Sequence, residues 1–314
     1  MNGVKLVQDQ LKLSVCVITY NQKRYIRDCL QSLIDQETDF DFEIIVGDDC
    51  SNDGTREILV EMAMQYAQIR PLFQLANTGG SRNYLEVHNA AIGRYVAHVD
   101  GDDLCLPGKL QAQSDVLDLK SEISAVWHLV DYFDDSGQFS SGATADLSMF
   151  KNGAVKFSDA IRLGFVGVHS SLMYRRIQRA TVPLEQRTLD LYLTWDLLSK
   201  GDGFYIDKVL GRYRIASVGS LSASSPVSTK KLAIAHARLF LQKHPERRAD
   251  FFIWAASHAV LDIKNLKKTA LDLILFAFEN LSLVSPGVIL FNLLNIRKNR
   301  VRWCKKSPLS RRWW

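Results

Sequence analysis

HVDGDDLCLPGKL, His98 to Leu110, places three carboxylates (Asp100, Asp102 and Asp103) directly behind the strand-like run Tyr95-Val96-Ala97-His98-Val99. Adjacent aspartates on one turn repel each other, which raises their pKa values unless a positive group lies between them. A divalent cation with hard oxygen ligands removes that cost. An exposed acidic turn capping the helix after Pro107 is the structural alternative, because Asp before Leu-x-x-Pro is good turn chemistry.

Working outward, the flanking segments alternate in type. Leu13–Ile18 is short, apolar and β-branched, as a buried strand should be. A helical pattern follows, with Ile26, Leu30, Leu33 and Ile34 on one face. Glu43–Val46 reads as a second strand, ending at Gly47-Asp48-Asp49, and Ser51-Asn52-Asp53-Gly54 supplies cap chemistry for a helix carrying Ile58, Leu59, Met62 and Tyr66. Leu72–Leu75 is a third strand, stopped by Asn77-Thr78-Gly79-Gly80, and a helix then runs towards Gly93. Such alternation predicts an α/β fold with a mostly parallel sheet. Ligands of these sheets bind beyond the carboxyl ends of the strands, where both Asp48-Asp49 and Asp100–Asp103 fall.

After Pro107 a helix reaches Leu119, Ile123–Val130 is strand-like, and Asp131–Ser148 is an acidic loop. Ser170–Tyr174 follows as a strand, Leu189–Ser199 as a helix, and Phe204–Ile206 and Val209–Ile215 as strands. Ser217–Thr229 is Ser-rich and expected to be mobile, and the pattern is helical from Lys230 onward. Residues 1–225 therefore read as one domain in two halves, about 1–120 and 121–225. Residues 226–314 form a helical extension with a basic end.

Of 314 residues, 39 are Lys or Arg and 34 Asp or Glu, a net +5. From Arg297 onward the chain carries eight basic residues and no acid, so the rest is slightly acidic. No nucleic-acid footprint covers the body. Five scattered cysteines without CxxC spacing argue for a reducing compartment. The N-terminus lacks the apolar run of a secretory signal, which predicts a cytoplasmic chain. Several chemistries drop out. The acidic stretch has Leu104, Cys105 and Gln111 where an EF-hand loop needs a ligand, Gly and Glu. No GxGxxG opens a helix after a strand, no GxxxxGK[ST] appears, and the first strand ends Ile18-Thr19-Tyr20-Asn21 rather than in a DxDxT phosphatase motif. Val17–Arg24 has no glycine, against a nucleotidyltransferase loop.

Six stretches in order decide the reading: SVCVITYNQKRYIRDCLQSLIDQ, FEIIVGDDCSNDGT, the Asn77–Gly93 segment ending in IGRY, HVDGDD, HSSLMYRR, and LDLYLTWDLLSKG followed by YRIASVGSLS. Together they resemble the family 2 glycosyltransferases, inverting enzymes of the GT-A fold, over residues 12–222. The resemblance implies a nucleoside-diphosphate sugar donor, with uridine or another pyrimidine as the expected base, and a glycan or lipid-linked acceptor, as in bacterial cell-surface polysaccharide or O-antigen assembly. It implies that Thr19, Tyr20 and Asn21 line the base pocket and that Asp49 accepts a hydrogen bond from the base. Asp100 belongs to the nucleotide site, Asp102 reaches ribose or metal, and Asp103 is the firmest ligand of Mn²⁺ or Mg²⁺. Asp190 is the implied general base, with Asp196 as its rival about 240° round the same helix. Arg214 in the Tyr213-Arg214 pair either grips the diphosphate or makes a structural ion pair. Leu189 and Ala216 depart from the family pattern and raise the alternative of a non-catalytic nucleotide-sugar or partner-binding module. His98 and His169 are assigned no role, and Trp127 and Trp195 are core or acceptor-shelf residues. Ala270–Leu294 is apolar but interrupted, too short to span a bilayer. With the basic, Trp-bearing end it predicts a peripheral anchor on anionic membrane through residues 270–314.

Overall fold

A computed structural model describes residues 11–136, 139–140, 147, 150–163, 166–179, 190–215 and 226–306. Leu189, Ala216, residues 217–225 of the Ser-rich stretch, residues 141–146 of the acidic loop, and Trp313 and Trp314 lie outside these. In chain order the elements are β1 (Leu13–Thr19), α1 (Ile26–Ile34), β2 (Phe42–Asp48), α2 (Thr55–Gln65), β3 (Ile69–Phe73), α3 (Gly80–Ala90) and β4 (Tyr95–Asp100). Next come β5 (Leu104–Cys105), α4 (Lys109–Leu119), β6 (Ile123–Phe133), β7 (Phe139–Ser140), β8 (Ala154–Val155), α5 (Phe157–Leu163), β9 (Met173–Arg175), α6 (Asp190–Leu198) and β10 (Asp202–Arg214). Four helices close the chain: α7 (Pro226–Lys243), α8 (Arg248–Lys264), α9 (Thr269–Glu279) and α10 (Pro286–Lys306).

One sheet runs β3-β2-β1-β4-β9-β6-β10-β5, with β7 on β6 and β8 on β10. β3, β2, β1 and β4 are parallel neighbours. The chain leaves β1 towards β2 and β3, then crosses back to β4 on the other side, so the strand order reverses at β1. A crevice opens at such a point beyond the strand ends. Both faces of β1 are buried, Val15 and Val17 in one core layer and Cys16 in the other. That is why its sequence is continuously apolar rather than alternating.

Three differences from the sequence reading follow from pairing. The third strand starts at Ile69 instead of Leu72, because β2 sets its register (Ile44 opposite Ile69, Asp48 opposite Phe73), leaving Leu75 fully exposed. Phe204–Ile206 and Val209–Ile215 are one bulged strand, β10, parallel to β6. His169–Ser171 forms a 3₁₀ turn, and only the short β9 that follows is strand. β9 runs antiparallel between β4 and β6. Its leading turn therefore lies at the carboxyl end of β4, beside Asp100.

The C-terminal helices share the main core. Trp195 on α6 meets Phe240, Phe251 and Trp254 of α7 and α8 edge to face, and Phe276 of α9 packs on Trp254. Asn292 of α10 bonds the Arg162 carbonyl of α5 and the Ser257 hydroxyl of α8. The extension is thus continuous with the sheet domain, and Trp127 and Trp195 are core residues.

Candidate active site

Register brings the acidic strand ends together. β1 has Thr19 opposite Asp48 of β2 and Ile18 opposite Asp100 of β4. The two acidic ends thus flank β1, about 10 Å apart at two strand spacings.

At the β2 end, Asp48 is fully buried, and its Oδ2 accepts from Arg56 Nε at 2.6 Å and from Ser51 N–H at 3.0 Å. Asp49, also buried, receives three bonds: Thr78 N–H (2.7 Å), the Thr78 hydroxyl (2.9 Å) and Gly79 N–H (2.8 Å). It therefore anchors the entry to α3, where the exposed N–H groups and helix dipole favour a carboxylate. An ionised carboxylate has about four acceptor positions, so one remains for a ligand. Thr19 is buried, its hydroxyl donating to Gln22 Oε1 at 2.8 Å, while Tyr20 is 42% exposed at the crevice rim. Asn21 takes a left-handed conformation (φ 51°) that Asn tolerates. There it bridges the β1 and β2 loops: its N–H meets Ser51 Oγ at 2.8 Å, and its Oδ1 accepts from Asn52 N–H at 3.0 Å.

The β4 end is built differently. Gly101 sits so close to β1 and α1 that a Cβ there would lie 2.6 Å from Gln22 Oε1 and 3.0 Å from Ile26. This close approach pins the Asp100–Asp103 turn. Arg214 at the end of β10 braces it: its N–H donates to Asp103 Oδ1 (2.7 Å) and its Nε to the Asp102 carbonyl (3.0 Å). The Arg214 guanidinium pairs with Asp135 at 2.9 Å and lies between the rings of Tyr25 and Phe133. Asp103 Oδ2 is buried and, among the described residues, has no hydrogen-bond partner. Burial, then the neighbouring charges of Asp102 and Asp100, push the Asp103 carboxyl well above the usual range. Lys109, also buried, donates to the Ser170 carbonyl at 2.7 Å, and its charge counteracts part of the burial that raises Asp100.

Asp190, the first residue of α6, is exposed, with its Oδ1 accepting from Leu191 N–H at 2.8 Å. The Tyr213 hydroxyl is pushed up by burial first, then by Asp103, Asp100, Asp102 and Asp190. Asp190 thus stands, like the acidic turn, within electrostatic reach of the Tyr213 hydroxyl. Asp196 faces elsewhere, paired with Lys200 at 2.8 Å. A separate groove of about 630 Å³, lined by Glu122, Lys156, Lys200, Asp202 and Arg247 among others, contains none of the acidic site positions.

Residues 14–180 match the profile of glycosyl transferase family 2. The chain belongs to that family. A protein of Mycobacterium bovis is 39% identical over 120 residues, 38% of this chain and 35% of the relative. The chain therefore spans about a third of that relative's length. TuaG of Bacillus subtilis, named as a glycosyltransferase of teichuronic acid biosynthesis, is 30% identical over 222 residues, 70% of this chain and 84% of TuaG. Among solved structures, S. aureus TarS (residues 1–349) in complex with UDP-GlcNAc superposes with a TM-score of 0.62 at 23% identity, over 78% of this chain and 71% of that one. The likeness establishes the GT-A fold.

Within this family 2 chain, three groups escaped the sequence reading. Thr78 and Gly79 hold Asp49, a role hinted at by cap-like chemistry before α3. Lys109 is a buried cation behind the acidic turn, where its amphipathic helix position gave no sign of charge compensation. His88, His98 and His169 cluster behind Asp100. Burial drives His88 well down, His98 down to about 3 and His169 down to about 4, so all three are neutral.

Proposed function

We propose that this chain is a metal-assisted, inverting glycosyltransferase moving a sugar from a nucleoside-diphosphate sugar to a hydroxyl of a glycan or lipid-linked acceptor. The observation that carries the reading is Asp103: a buried carboxylate with one unpartnered oxygen and two aspartate neighbours, at the point where strand order reverses. That donor set fits Mg²⁺ or Mn²⁺, which bind through one or two carboxylates plus substrate phosphates. Asp102 and Asp103 would hold the ion. When bound, it supplies charge stabilisation to a departing diphosphate. Among the described residues no three His, Cys, Asp or Glu side chains are grouped so as to hold a metal ion.

The remaining roles fall to the chain's own groups. Thr19, Tyr20 and Asn21 form the floor and rim for the base, and Asp49 offers its remaining acceptor position to a base N–H. Asp100 faces the nucleotide. Arg214, committed to Asp135 and to the acidic turn, holds that turn in place. Asp190 takes the acceptor proton at its carboxylate. It sits on α6, a different element from the metal-binding turn, and direct displacement with inversion would need it on the face of the sugar opposite the departing diphosphate. The family and the name of TuaG support polysaccharide biosynthesis as the setting, and the UDP-GlcNAc bound to TarS makes a uridine donor the first to try.

The C-terminal helices supply a membrane-facing surface in this reading. Leu271, Leu275 and Phe278 of α9, Leu281 and Leu283 beyond it, and Leu290, Phe291 and Leu294 of α10 are exposed, and α10 continues into Arg297, Lys298, Arg300 and Arg302. No described helix is long and apolar enough to cross a membrane. An apolar stripe followed by basic residues suits peripheral contact with anionic lipid at the cytoplasmic face.

The test is incubation with Mn²⁺ and a panel of nucleotide sugars. Donor hydrolysis or transfer that disappears in Asp190→Ala supports the enzyme. Thermal stabilisation by a nucleoside diphosphate and Mn²⁺, without turnover on any acceptor extract, supports the non-catalytic binding module instead.

A further inference from the structure

Behind the acidic turn, three elements contribute to one buried polar chain. Val96, His98 and Asp100 share a face of β4 at a spacing of two, and Tyr174 on β9 pairs opposite Val96, so it joins that face. Packed against it is α3, which brings in His88. The hydrogen bonds run end to end: Tyr174 Oη to His88 Nδ1 at 2.7 Å, His88 Nε2 to His98 Nδ1 at 3.0 Å, and His98 Nε2 to Asp100 Oδ1 at 3.1 Å. At the far end the Arg179 side chain lies near Tyr174, and its Nη2 donates to Asn89 Oδ1 at 2.7 Å. Aromatic packing fixes the ring planes: Tyr84 stacks on His88 with centroids 3.8 Å apart, and His169 lies 4.0 Å from His98.

The donors and acceptors of this chain have one consistent order. A carboxylate only accepts, so His98 donates to Asp100 from Nε2–H, its Nδ1 accepts from His88 Nε2–H, and His88 Nδ1 accepts from the Tyr174 hydroxyl. Both imidazoles are neutral, so each carries its one proton on Nε2. The Asp100 carboxylate at one end thus fixes the tautomers of two imidazoles and receives an N–H in the crevice. Such supporting hydrogen bonds orient ligating groups, and their loss typically costs about 10- to 100-fold in affinity.

We propose that Tyr174, His88 and His98 are positioning residues that hold the Asp100 carboxylate in the single orientation met by the nucleotide sugar. The proposal rests on the assignment of Asp100 to the nucleotide site. It differs from a packing role because each member acts through the next, and only Asp100 meets the ligand.

Two measurements test it. Long-range ¹H–¹⁵N correlation spectra of the ligand-free protein should show His88 and His98 as Nε2–H tautomers; an Nδ1–H tautomer at either position overturns the chain. Calorimetric titration with UDP and Mn²⁺ should then show an affinity loss of about 10-fold or more for Tyr174→Phe and for His88→Leu. His88→Gln, whose amide can both accept and donate, should recover most of it. In an Asp100→Asn background the same substitutions should have no further effect. A loss of equal size there means they act by packing, and the proposal fails. If the unaltered protein binds no nucleotide at all, the glycosyltransferase reading falls, whereas the tautomer spectra still decide the chain.

Discussion

β2 and β4 end in similar acidic pairs at the same edge of the sheet, yet the two pairs are satisfied in opposite ways. Asp48 has the Arg56 guanidinium on one oxygen and Asp49 has the entry to α3, although Asp48 Oδ1, like Asp103 Oδ2, is buried without a hydrogen-bond partner among the described residues. Asp103 has the charges of Asp102 and Asp100 beside it, while Arg214 spends its guanidinium on Asp135 and the Asp102 carbonyl and Lys109 donates to the Ser170 carbonyl. The first arrangement stabilises a fold. The second stores electrostatic repulsion that a bound cation would relieve. The two acidic strand ends thus differ in where their countercharge comes from.

Substitutions can break this contrast. Asp103→Asn should lower metal-dependent turnover by about 100-fold or more, the scale of losing one preorganised electrostatic contact in a transition state. The melting temperature should hold or rise, since a buried repulsion is removed. A fall in stability without loss of turnover would make Asp103 an anchor like Asp48. Asp48→Asn should do the reverse, destabilising the chain by roughly 3 kcal/mol, the low end for breaking a buried ion pair, because Arg56 is a third exposed. Denaturant melts of the two variants side by side give the comparison.

A smaller effect concerns pH. Unfolded imidazoles protonate near 6.5, whereas His98 and His128 stay neutral down to about 3 and His169 down to about 4. Their folded pKa values are lowered, so below pH 6.5 the unfolded state binds protons that the folded state refuses. Stability should therefore fall as pH drops from 7 to 5, by about 1.4 kcal/mol per pH unit for each such histidine as an upper bound. A flat profile would show that water reaches these rings.

How far the site could be read in advance depended on range. β1, β2 and β4 were legible because strands buried on both faces need continuous apolar runs, and the acidic residues follow those runs directly. Asp196 pairs with Lys200, an i,i+4 contact that helix geometry alone suggests. The placement of β9 was not legible: three residues carry little periodicity, and inserting them between β4 and β6 is a matter of long-range pairing. The histidine chain was hidden for the same reason, since His88, His98 and Tyr174 come from a helix and two strands and meet only after the sheet has formed. Arg214 left two readings open because both need the same residue; the position of Asp135 shows which partner it has.

The most direct test of the central claim is calorimetric titration of UDP into the protein with and without Mn²⁺, repeated on Asp103→Asn. The account predicts that Mn²⁺ strengthens binding to the unaltered chain by at least about 10-fold, on the scale of one ligand-site contact, and has little effect on the variant. Equal affinity with and without the ion, or an undiminished Mn²⁺ effect in Asp103→Asn, would contradict it.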